Sequence, residues 1–160
     1  MSRSRRLATL MLDDVHVTAV GHGGATVRHV NRCLPANSVD RANVVFIHVG
    51  ENDHGRQRPY LIAYALVSLA ERLIKDYGVR TVVISELVHF PVHGRSQWCR
   101  EVNSFLRRFV AEMDHPGILL WQLCLERSDF DRRGVHVAGS RMDVYWRSVR
   151  RAVMTGLGRR

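Results

Sequence analysis

The chain has 160 residues, enough for one sizeable core in a single domain over residues 1–160, and its 46% hydrophobic content argues against wholesale disorder. Its net charge is +9, and all but one of its 24 basic residues are arginine, Lys75 being the exception. No apolar run approaches the roughly 20 residues of a membrane span, and residues 7–12 are too short, and followed too soon by Asp13 and Asp14, for a signal peptide.

Residues 5–12 carry Leu7, Leu10 and Met11 at helical spacing, which predicts a short helix that Ser2 or Ser4 would cap. Residues 15–20 alternate as a strand. Gly21 to Gly24 form a Gly-rich turn, residues 26–34 a short helix, and Pro35-Ala36-Asn37-Ser38 a loop. The run of β-branched residues over 44–49 predicts a strand buried on both faces. Strand, turn, helix and strand in that order predict a βαβ unit, hence parallel pairing of residues 15–20 with residues 44–49.

Pro59 suits a helix start, and Leu61, Ala65, Leu66, Leu69, Leu73 and Ile74 mark an amphipathic helix to about Tyr77, stopped by Gly78. Residues 81–85 predict a buried strand and residues 89–95 a loop with Pro91 and Gly94. A second long helix spans 97–113, with Val102, Phe105, Leu106, Phe109 and Val110 as its inner stripe. Residues 118–123 predict a strand, 127–133 a charged loop, and 138 to about 157 a last helix with Met142, Tyr145, Trp146, Val149 and Val153 facing inward. The alternation predicts an α/β fold, a three-layer α/β/α sandwich with a mostly parallel sheet. Cys33, Cys99 and Cys124 are odd in number and lack a framework spacing, so reduced thiols in an intracellular, cytoplasmic protein are expected, with Cys124 a small core residue.

Residues 44–49 end in Gly50-Glu51-Asn52-Asp53-His54-Gly55. Loops that leave the carboxyl end of a strand in an open α/β sheet are where ligands bind, so the stretch reads as a strand that delivers Asn52 and Asp53 to a site. It reads equally as a strand followed by a Gly-flanked polar turn. Val49-Gly50-Glu51-Asn52-Asp53 resembles the Gly-x-Asn-Asp block of the SGNH (GDSL-like) hydrolases. Gly21-His22-Gly23-Gly24-Ala25-Thr26 resembles the block that supplies that family's glycine, and Gly134-Val135-His136-Val137-Ala138-Gly139 the block around its catalytic histidine. Met1-Ser2-Arg3-Ser4-Arg5-Arg6-Leu7 is similar to the tail of the nucleophile block. Within the family, the suggested likeness is to esterase-like domains associated with animal retroelements.

The resemblance implies acyl-ester hydrolysis through an acyl-enzyme, on a small acyl-ester substrate and without cofactor or metal. Ser2 is the implied nucleophile, with Ser4 a poorer match, and His136 the implied base. Gly24 (or, in a poorer register, Gly23) and Asn52 are the implied oxyanion donors. Arg133 stands where the family has its aspartate, and an arginine cannot accept the imidazole N–H. Asp131, less readily Asp129, or a backbone carbonyl would then orient the ring. Only Met1 precedes Ser2, so the family's first, central strand is expected to be missing, by truncation or because the sheet closes without it.

A second function class stays open: an inactive SGNH-like binding module whose Arg-rich surface contacts nucleic acid without reading its sequence. No basic motif interleaved with aromatics is visible, and a solvated Arg-rich surface is the plainer reading. His89, His93 and Cys99 fit no standard zinc spacing, so no metal is expected. His22, His48 and His54 fall near the proposed cleft, where a satisfied or solvated histidine is the commoner case. Oligomeric state is not set by these features.

Overall fold

The computed structural model describes residues 5–12, 15–34, 39–88, 95–132 and 136–159, with residues 5–12 described by their backbone. Among the described residues, nine strands and α-helices follow in order: β1 (Arg5–Leu12), β2 (Val15–His22), α1 (Val27–Cys33), β3 (Val44–Ile47), α2 (Pro59–Tyr77), β4 (Thr81–Ser85), α3 (Arg95–Met113), β5 (Ile118–Trp121) and α4 (Met142–Gly156). The protein is a mixed α/β fold built on a parallel sheet of order β3-β4-β5.

The pleat sorts the strand residues. Val45, Ile47, Val82, Ile84, Ile118 and Leu120 share one face, because Val45 pairs with Val82, Ile47 with Ile84, Val82 with Ile118 and Ile84 with Leu120. They join one apolar cluster with Leu66, Leu69 and Leu73 of α2 and with Cys99, Val102 and Leu106 of α3. Each such leucine contributes about 1.5–3 kcal/mol by leaving water. Val44, Phe46, Val83, Leu119 and Trp121 point the other way, toward α4. A Cβ placed on Gly156 of α4 would lie 3.0 Å from Val44 and 3.1 Å from Val83, so α4 approaches that face closely. Strands covered on both faces read as continuous apolar runs, which is why β3, β4 and β5 lack alternation in sequence.

The three loops that leave the carboxyl ends of β3, β4 and β5 lie on one edge of the sheet. Buried Asn103 of α3 pins the loop after β4: its Oδ1 accepts from Leu87 N at 2.7 Å and its Nδ2 donates to Leu87 O at 2.9 Å. Arg107 of α3 grips Glu86 in the same loop with two bonds, at 2.7 and 2.6 Å.

Four expectations are corrected, the first being that Met142 and Trp146 face inward: both are exposed, and α4 buries Ser148, Val149 and Ala152 instead. Residues 5–12 are a strand and not a helix: β1 pairs antiparallel with β2 along its whole length, from Arg5 opposite His22 to Leu12 opposite Val15. Eight residues are too few to hold a helix without tertiary packing, whereas a hairpin supplies a complete ladder. The βαβ unit over 15–49 is not formed either, because β2 belongs with β1 in a separate two-stranded sheet. Antiparallel pairing with a sequence neighbour closes a much shorter loop than parallel pairing across α1. Cys124 is exposed, while Cys99 is the buried thiol.

Candidate active site

The site begins where β3 ends. Gly50 has φ +132, and a Cβ there would meet Leu87 at 3.3 Å, so the turn needs a residue without a side chain. The chain then makes one 3₁₀ turn over Glu51–Asp53. Asp53 is buried, and its Oδ2 accepts from Val27 N at 3.0 Å. That bond satisfies one orphan donor at the start of α1, and Thr26 Oγ1 satisfies another by accepting from His29 N at 3.2 Å. Burial raises the Asp53 carboxyl above its ordinary value, against the lowering effect of the Val27 bond.

Asn52 is exposed and donates from Nδ2 to Ala25 O at 3.1 Å. The turn after β2 and the turn after β3 are therefore stitched by two adjacent side chains, Asn52 and Asp53. Gly24 precedes Ala25 in the same turn, with φ +66, a conformation that favours glycine. Ala25 N in turn donates to His22 O at 3.1 Å. An amide nitrogen carries two protons, and one Asn52 N–H is left for a further acceptor.

His136 lies on the loop between β5 and α4, with its ring exposed. Phe130 bridges Val137 antiparallel, Asp131 N donates to His136 O at 2.8 Å, and Ala138 N donates to Asp129 O at 2.8 Å. Asp131 and His136 are thus directly opposed in a short ladder, a register that puts their side chains on the same side. Asp129 is otherwise engaged. It is buried, accepts from Glu126 N at 2.8 Å and pairs with Arg141 at 2.8 Å. These two contacts, the backbone bond first, hold its carboxyl below the ordinary range.

Sequence reasoning passed over a second cluster on the same edge. His48 Nε2 lies 3.0 Å from Glu51 Oε1, and its Nδ1 lies 2.9 Å from the hydroxyl of Tyr145 in the first turn of α4. The carboxylate only accepts, so Nε2 carries a proton, and Nδ1 accepts from Tyr145 when the ring is neutral. Glu51 Oε1 also accepts from Val88 N at 3.3 Å, and Arg95 of α3 donates to the Glu51 carbonyl at 3.3 Å. Burial works against the His48 cation, but the Glu51 charge and hydrogen bond outweigh it and raise the imidazole above its ordinary value. Burial likewise works against the Glu51 carboxylate, and His48 outweighs it and lowers that group. Burial, helped by the Glu51 charge, pushes Tyr145 up to about 12. The same two causes push Cys99 up to about 12. The available signal was the i, i+3 spacing of His48 and Glu51 around Gly50.

The structure brings Asn52 to the Gly24 turn and sets Asp131 opposite His136. No hydrogen bond joins Asn52 to His136 among the described residues. Ser2, Ser4, Arg133, His89 and His93 lie outside the described residues. The chain matches no protein-family model and no curated protein. Among the described residues, no group of three His, Cys, Asp or Glu side chains could hold a metal ion, and no helix is long and apolar enough to cross a membrane.

Proposed function

We propose that the chain is an SGNH-type ester hydrolase in which the carboxyl edge of the parallel sheet, within a three-layer sandwich, carries the site. The bond from Asn52 Nδ2 to Ala25 O carries the reading. It joins two stretches 27 residues apart, the two that resemble the family's glycine and Asn-Asp blocks. Ser2 attacks the acyl carbonyl and His136 takes its proton. Asp131, opposite His136 in the ladder, orients the ring and stabilises the imidazolium. The Gly24 backbone N–H and the second Asn52 N–H stabilise the tetrahedral oxyanion, whose collapse breaks the ester C–O bond and expels the alcohol with the proton held by His136; a water activated by His136 then attacks the acyl-enzyme and releases the acid and Ser2.

The test is turnover of a short-chain aryl ester by the folded chain beside Ser2→Ala, His136→Ala and Asn52→Ala. Turnover should be lost in the first two and fall by roughly 10²–10³ in the third. A folded chain that hydrolyses no faster than buffer overturns the reading. A second reading, a binding module for nucleic acid, is favoured by Arg133 at the family's acid position and by the +9 charge. It requires binding that weakens steeply with salt.

A further inference from the structure

The loop between the Asn52 turn and α2 forms one wall of an open cleft of about 690 Å³. Arg56, Arg58 and Pro59 line it together with His54, Tyr60 and Trp98. Trp98 comes from α3, and its Nε1 donates to Gln57 O at 3.1 Å, which fixes the indole beside the loop. His54 meets the Trp98 ring edge-on at 5.4 Å. Tyr60 is 43% exposed and meets Phe105 at 6.3 Å, and Tyr64, one turn further along α2, is 64% exposed. Trp98 and Tyr60 are therefore held by the fold, Trp98 half-buried in the cleft wall and Tyr60 and Tyr64 exposed.

Two exposed guanidinia flank these rings. Arg58 makes no ion pair among the described residues, and the acidic group that acts on Arg56 is the buried Asp53. The linear sequence conceals this grouping, because Arg56 and Arg58 stand some 40 residues before Trp98. A patch of rigid aromatic faces beside guanidinia, on a chain of net charge +9, matches one ligand chemistry well. Planar bases stack on the rings while the intervening phosphates meet the arginines. An apolar protein partner would not call for the arginines, and duplex nucleic acid, with its bases already stacked, would not call for the exposed rings.

We propose that this cleft binds single-stranded nucleic acid, with Trp98 and Tyr60 as stacking platforms and Arg56 and Arg58 as phosphate contacts. The proposal rests on the nucleic-acid reading above and names its seat; it does not depend on hydrolysis.

The test is fluorescence anisotropy of a labelled 12-nucleotide oligouridylate titrated with the full chain between 50 and 200 mM salt. The Arg56→Gln/Arg58→Gln double variant should bind about tenfold more weakly and lower the salt slope by roughly 1.4. Tyr60→Ala should weaken binding at least about fivefold and leave the slope unchanged. The control is Arg147→Gln/Arg151→Gln on α4, which removes the same charge elsewhere and should cost less than about threefold. Equal losses in the two double variants would reduce the interaction to diffuse charge and overturn this site alone. No binding at 50 mM salt overturns the site and the nucleic-acid reading together. A duplex that binds as tightly as the single strand, or a dimer that Tyr64→Ser dissolves, also overturns the proposal. Should Tyr60→Ala fail to fold, Tyr60→Leu carries the stacking arm: it keeps the bulk but no aromatic face, so binding should weaken at least about threefold, and unchanged binding overturns the stacking role.

Discussion

The two faces of the parallel sheet are closed by different chemistry. Val82, Ile84 and Ile118 meet α2 and α3 in a largely apolar seam, where Leu66, Ala70, Val102 and Leu106 are fully buried and Ser96 and Asn103 are the buried polar residues of α3. Val83, Phe46 and Trp121 face α4, which buries Val149 and Ala152, brings Gly156 against Val44 and Val83, and adds polar fastenings of its own. Tyr145 reaches His48, and Ser148 Oγ accepts from both Trp121 Nε1 and Cys124 N at 3.2 Å. Phe46, Leu119 and Trp121 stay partly exposed on that side. The seam holds the fold by removing apolar area from water, a term that pH leaves alone. One fastening of α4, the bond between Tyr145 and His48, changes its worth with protonation, and it sits beside the candidate site.

The largest expected effect is therefore on the seam. Leu106→Ala removes a side chain with no exposure between α3 and the sheet, and the leucine's volume becomes a cavity that the packed neighbours only partly fill. Loss of about 2–5 kcal/mol is expected in urea unfolding, at every pH where the chain is folded. A loss below about 1 kcal/mol would mean that the seam is loosely packed and that the contrast between the faces is wrong.

Ser148→Ala addresses the other face. Ser148 is buried, and its removal strips two N–H donors of their acceptor at once. About 0.5–1.5 kcal/mol is expected, because two hydrogen bonds are lost but their donors, on half-buried Trp121 and exposed Cys124, are within reach of water. The change should also shift the fluorescence of Trp121, whose indole N–H loses its partner. Unaltered stability would show that water replaces the hydroxyl without penalty and that α4 is held by apolar contact instead.

The seam was the most legible part of the sequence. Leu66, Leu69 and Leu73 at helical spacing, and Val102 with Leu106, specify an amphipathic pair, and the apolar runs at Val44, Thr81 and Ile118 specify the strands they cover. Residues 5–12 misled because spacing alone does not separate a short helix from a strand, and the choice was made by an antiparallel partner at Val15–His22. In the candidate site, Asn52 was legible through its Gly-flanked block. Its tie to Ala25 was not, since it depends on two turns meeting in space. The Tyr145 hydroxyl misled in its own way. Its ring fits the apolar stripe of α4, but the group that matters is its polar tip, which finds a histidine 97 residues away.

That histidine gives the smallest and most specific test of the contrast. His48 holds its proton more tightly in the folded chain than in the unfolded one, so its contribution is complete below the ordinary value of 6.5 and is lost as pH rises through the raised folded value. Glu51 is lowered, so its contribution is complete above the ordinary 4.5 and is lost as pH falls through the lowered folded value. The pair therefore stabilises most between those two ordinary values. Glu51→Gln keeps the shape and an acceptor for Nε2 but removes the charge. It should cost about 0.5–1.5 kcal/mol at pH 5.5 and less at pH 8.5, measured by urea unfolding. With the carboxylate gone, burial is left to act alone, and an NMR titration should find the His48 ring below 6.5 instead of above it. A His48 titration that the variant leaves unmoved would separate the imidazole from Glu51 in solution, and the α4 side of the sheet would then be as indifferent to pH as the leucine seam opposite.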